Sequence, residues 1–223
     1  MEITAKMVAE LRQMTGVGMM ECKKALTEAN GDMDKAVKIL SEQGKAKVAK
    51  KAGRIAAEGV IGYYDHMNAH QKFAMVELNC ETDFAAKNPQ LFTTAKDLAM
   101  QTVATNPMAI RPEDLPASYI EEQKALFMAQ LKNDAKNANK PEAVLEKIIE
   151  GKLNKHFEEV CLLNQPFIKD PDKKVQDVIN DLTLVTGEKI TVRRFVRWEV
   201  GEGLEKRSDD FAAEVAAQVN GNI

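Results

Sequence analysis

Three cysteines, three histidines and one short acidic-aromatic run are the places where this chain of 223 residues could carry chemistry. Cys22, Cys80 and Cys161 are few, odd in number and widely spaced, and no C-x-x-C occurs. That pattern argues against a disulfide framework and a structural zinc site, and it fits a reducing cytoplasm. A cysteine nucleophile needs a base and an orienting group. Cys80 instead has Glu81 and Asp83 beside it, which disfavour the thiolate, so it reads as a small apolar residue at a strand end. His66 and His70 are four apart, a metal spacing on a helix, but they fall in a predicted hairpin loop and read as solvent-exposed. His156, late in a long charged helix, reads as a surface residue. No G-x-x-x-x-G-K-[ST] phosphate loop is present, and Gly201-Glu202-Gly203 reads as a turn after a strand. No catalytic residue, metal ligand or cofactor site emerges.

The unusual feature is Thr82-Asp83-Phe84. An aromatic beside an acid, at a corner between sheet and helix, admits two readings. In one, Asp83 caps the following helix and Phe84 staples back to the core. In the other, Phe84 is an apolar anchor presented to a partner protein on a rigid corner. Composition alone favours the first.

Charge narrows the partner class. The net charge is −3 and the isoelectric point is near 5.8, whereas a bulk nucleic-acid binder is usually basic. The run from Lys45 to Arg54 and the arginines Arg193, Arg194 and Arg197 could touch RNA. The first run lacks interleaved aromatics, and a solvated linker or protein-facing charge fits it better. No stretch of about 18 apolar residues occurs, so no membrane span is expected.

These residues must be positioned by a mixed set of elements. Thr4 caps a first helix that Gly16 stops. A second helix runs from about Met19 to Ala29, with Met19, Cys22, Leu26 and Ala29 near one stripe. Asn30-Gly31-Asp32 is a turn, and Asp32 caps a third helix that ends at Gly44. Lys45 to Arg54 is then a basic linker. The period changes to two at Val60 to Tyr64 and Phe73 to Leu78, a hairpin that ends at Asn79 to Phe84. Helices follow at about Pro89 to Val103, Ser118 to Asn133 and Pro141 to Phe157, the last two as an antiparallel hairpin. A third strand spans Ile190 to Val200, with Ile190, Val192, Val196, Trp198 and Val200 on one face. A terminal helix covers about Ser208 to Val219, with Phe211 and Val215 on its apolar stripe. The expected class is α+β: an N-terminal three-helix bundle, then a small antiparallel sheet packed on helices, an inserted helical hairpin and a C-terminal helix. The expected units are 1–54, 55–205 with the hairpin at about 118–157, and 206–223.

Several blocks match a known family. Thr15 to Leu26 resembles the signature near the start of bacterial elongation factor Ts. Ala56 to Val60, Asn79 to Phe84, Phe195 to Lys206 and Asp210 to Ala216 resemble further blocks of the same family, spread over nearly the whole chain. The resemblance implies a bundle like ubiquitin-associated domains. It implies a guanine nucleotide exchange factor for elongation factor Tu, bound in GDP-loaded and nucleotide-free forms, with no reaction of its own. It also implies that Asp83 and Phe84 enter the GTPase near its switch region and disturb its magnesium and phosphate site, with Thr82 beside them among the partner-binding residues. The bundle, with Met19 and Met20, would dock beside the nucleotide, and Phe211 and Val215 would add a contact. Longer members carry two half-cores before the helical hairpin, whereas this chain shows one. Short members pair as homodimers, and a homodimer is the expectation. Two other readings compete: an adaptor whose bundle binds another partner, and an RNA-binding module.

Overall fold

The computed structural model describes residues 3–134, 137 and 140–205. Phe211, Val215 and the unit 206–223 lie outside the described residues.

The N-terminal bundle follows its punctuation. Helix α1 (Ala5–Thr15) is capped by Thr4, whose hydroxyl accepts from the Met7 N–H at 3.3 Å, and it ends at left-handed Gly16. Helix α2 (Met19–Glu28) leads into the Asn30–Gly31 turn, and Asp32 caps α3 (Met33–Lys51) by accepting from the Lys35 N–H at 3.0 Å. Val8, Leu11, Cys22, Ala25, Leu26, Ala29, Ala36 and Leu40 form its core. Two expectations fail here. Helix α3 does not stop at Gly44 but spans Met33–Lys51, so most of the basic run is helical. Lys45 to Lys51 are mostly strong helix formers, and Gly44 serves close packing instead of a C-cap. It is buried, and a Cβ there would lie 3.0 Å from the Leu184 side chain. Met19 is exposed, whereas Cys22, Leu26 and Ala29 of the predicted stripe are buried.

The core sheet has the order β1 (Glu58–Asp65), β2 (Lys72–Cys80), β5 (Thr191–Glu199), all antiparallel. Alternation places Ala74, Val76 and Leu78 inward, against helix α5 (Pro89–Thr105). Pro89 opens α5 and Asn88 caps it, accepting from the Gln90 N–H at 2.9 Å. The expected single face of β5 is incorrect. Leu78 pairs with Val192 and Glu77 with Arg194, leaving Arg193 as an extra residue. This bulge reverses the alternation beyond it. Val192 faces the core, but Phe195 and Arg197 lie opposite Val76 and Ala74, and Val196 and Trp198 turn to the other side.

Helices α6 (Ala117–Asn133) and α7 (Glu142–Val160) form the antiparallel hairpin around Leu131, Leu145, Ile149 and Leu153. His156 is not a surface residue. Its Nε2 lies 2.7 Å from the Tyr119 hydroxyl, and Phe127 packs against its ring edge. The chain then makes a small ribbon, β3 (Pro166–Phe167) with β4 (Asp170–Lys174), and helix α8 (Val175–Thr186). Helix α8 is missing from the elements expected above, although Val175, Val178, Ile179 and Leu182 carry its periodicity and Gly187 closes it.

Candidate functional site

The corner after β2 is built by Thr82. Its backbone is extended, and its hydroxyl accepts from the Ala85 N–H at 3.3 Å, capping the one-turn helix α4 (Asp83–Ala86). The cap is therefore Thr82, not Asp83. Ala85 faces the core and is buried. Phe84 points away and is 82% exposed. It does not staple to the core. Its only ring partner among the described residues is the Lys87 ammonium, 5.5 Å from the centroid, and Lys87 also pairs with Asp83 at 2.7 Å. An exposed aromatic on a capped corner is placed where an interface anchor would stand.

Thr82, Asp83 and Phe84 are consecutive and share this corner. Met19 and Met20 stand on α2 of the bundle, both exposed, with Met20 the more so. Gly18 precedes them as the N-cap of α2, with no side chain to shield them. Both sets thus present large apolar side chains to solvent, from separate elements.

Charged groups tie the corner to its surroundings. The Glu81 carboxylate accepts from the Lys189 N–H at 2.6 Å and from Arg54 at 3.2 Å. The Lys189 N–H, and secondarily Arg54, hold Glu81 below the usual carboxylate range. Sequence reasoning passes over Glu188, whose carboxylate accepts from the backbone of Glu81 and Thr82. Its one signal is an acidic residue directly after the glycine that closes α8.

All three thiols are buried. Burial pushes Cys80 up, and the charge of Glu188 adds to this more than that of Asp83. Burial likewise pushes Cys161 up, to about 11. No group of three or more His, Cys, Asp or Glu able to hold a metal occurs among the described residues. His66 and His70 are exposed, and His70 pairs with Asp65. Arg193 and Arg194 pair with Glu77 at 2.8 and 2.6 Å, and Arg197 with Glu202 at 3.0 Å, so these arginines are engaged within the chain. Among the described residues, no helix is long and apolar enough to cross a membrane.

Comparison with known proteins places the chain in a family. The family model described as "Elongation factor TS" matches residues 2–202. The elongation factor Ts of Desulforamulus reducens is 57% identical over 218 residues, covering 98% of each chain. That of Acetivibrio thermocellus is 54% identical over 219 residues, covering 98% of this chain and all of its own. That of Geobacter sulfurreducens is 49% identical over 217 residues, at 97% and 98%. A family match over residues 2–202 and relatives about half identical over nearly the whole chain show that this chain belongs to the elongation factor Ts family and is a translation elongation factor.

Proposed function

We propose that the protein is the guanine nucleotide exchange factor of elongation factor Tu, acting in the cytoplasm and making or breaking no covalent bond. The observation that carries this reading is the exposure of Phe84 on a corner capped by Thr82. Release requires a complex in which nucleotide and factor are bound together and weaken one another, and the weakening is reciprocal. A GTPase holds its nucleotide largely through magnesium and backbone groups around the phosphates. Phe84 wedges into the GTPase near that site, and Asp83 adds charge unfavourable to phosphate. Met19 and Met20 dock the bundle beside the nucleotide, and Phe211 and Val215 add a contact from the C-terminal unit. The units are 1–54, 55–205 and 206–223, with the second bearing the wedge. The test is release of a fluorescent GDP from cognate elongation factor Tu with and without this protein. Acceleration of a thousandfold or more is expected, which needs roughly 4 kcal/mol of differential binding. An unchanged release rate rejects the reading.

The factor acts as a homodimer, and the open face of the sheet is its seam. Beyond the bulge, that face carries Tyr63, Phe73, Met75, Val196 and Trp198 in two adjacent cross-strand rows, one of them completed by Asp65, and Ile61 lies in the next row with Glu77 and Arg194; the Tyr63 and Phe73 rings are stacked at 6.3 Å. Ile61, Tyr63 and Trp198 are each 56% exposed. A contiguous apolar face of this kind marks an association surface, and a two-fold pairing covers both copies with the same residues. Trp198→Lys, which places a charge on that face, is expected to shift the solution mass from twice the 24.8 kDa chain mass to that of a single chain. A variant that stays dimeric at the same concentration rejects this seam.

A further inference from the structure

Helix α4 is four residues long, too short to hold itself, because a single helical turn does not recover its nucleation cost. Whatever fixes the direction of Phe84 must lie outside that turn. The α8–β5 turn supplies it. Glu188 Oε2 accepts from the Glu81 N–H at 3.1 Å and the Thr82 N–H at 3.0 Å, and Oε1 accepts from the Thr82 hydroxyl at 2.6 Å. The Thr82 hydroxyl has one proton. Donating it to Glu188 turns its lone pairs toward the Ala85 N–H, the bond that caps α4. The grip is returned, since Glu81 accepts from the Lys189 N–H at 2.6 Å. Arg54, just beyond α3, donates to Glu81 while its carbonyl accepts from Lys189 Nζ at 2.8 Å, and Lys51 Nζ reaches the Gly187 carbonyl. Charge-assisted bonds of this kind are stronger and shorter than neutral ones.

We propose that Glu188 is a positioning residue for nucleotide release, its carboxylate fixing the Thr82 cap so that Phe84 is presented already aimed at the GTPase. This rests on the reading of Phe84 as the wedge. Glu188 touches no nucleotide; it removes the freedom of the corner before the partner arrives, so that binding free energy is spent on the nucleotide site instead of on ordering α4.

The test is stopped-flow release of fluorescent GDP from elongation factor Tu, over a range of factor concentrations. It compares the full-length wild type, Glu188→Ala, Glu188→Gln, Phe84→Ala and the Glu188→Ala/Phe84→Ala double variant. Glu188→Ala is expected to lower the limiting release rate about tenfold while the half-saturating concentration stays within about threefold, a split that simple loss of folded protein does not produce. Glu188→Gln, which keeps one carbonyl acceptor, is expected to fall between Glu188→Ala and wild type. The double variant is expected to be no slower than Phe84→Ala alone, because both changes act through one side chain. The positioning role is overturned if Phe84→Ala is slow and Glu188→Ala matches wild type, or if the two losses multiply. A wild-type rate for Phe84→Ala alone overturns the wedge itself, which keeps the two failures apart.

Discussion

Phe84→Ala is expected to slow factor-driven GDP release about a hundredfold while leaving the fold intact. The two halves of that expectation have separate causes. In the free protein, Phe84 is largely exposed, with the Lys87 ammonium over its ring, so truncation removes little folding energy. Surface substitutions of this kind change stability by about 0.5 kcal/mol or less. In the complex, an aromatic buried at the centre of an interface contributes about 2–4 kcal/mol on truncation. A hundredfold loss corresponds to about 2.7 kcal/mol. Thermal melting and stopped-flow release, measured on the same preparation, check both halves. A melt shifted by many degrees would place Phe84 in the core, and an unshifted release rate would end its role as anchor.

The second large effect is on stability. At Gly62 the backbone of α5 lies directly on β1. A Cβ built there would sit 2.2 Å from the Ala95 carbonyl carbon and 2.4 Å from the Lys96 nitrogen. Those are main-chain atoms in the middle of a 17-residue helix, and no rotamer change relieves the clash. Gly62→Ala must therefore lift α5 away from the sheet, opening the layer formed by Val76, Leu91, Ala95 and Leu98. Overpacking with backbone displacement costs roughly 3 kcal/mol. For a chain of this size that lowers the melting midpoint by about 10 °C. Calorimetry provides the measurement, and a midpoint within about 2 °C of wild type would mean that the two layers are not in direct backbone contact. Gly18→Ala, where an added Cβ meets nothing within 4 Å, serves as the comparison.

Local signals were legible wherever one residue settles one bond. Thr4, Asp32, Gly16 and Asn30-Gly31 act at short range, and each does what its side chain dictates. The hairpin face of β2 followed from period-two alternation. Three features were not legible, because each depends on a residue far along the chain. Gly44 looks like a helix stop until Leu184 arrives to occupy the space of its missing side chain. Arg193 looks like one more alternating position until pairing with β2 leaves it unmatched. Asp83 looks like the better cap, but Thr82 wins because Glu188, 106 residues further on, orients its hydroxyl. At the corner itself, composition favoured a stapled phenylalanine, and only the packing of the neighbouring Ala85 shows that Phe84 is left outside.

The uninterrupted length of α3 has a mechanical consequence. Its 19 residues make a rod about 28 Å long that begins in the bundle, lies against α8 at Gly44 and Leu184, and ends three residues before Arg54 clasps Glu81. A slack cord would let the two business ends of the molecule search independently, each paying its own loss of freedom on arrival. A stiff arm makes the first to land a gunsight for the second. In the proposed complex, docking of the bundle through Met19 and Met20 sets the bearing from which Phe84 approaches.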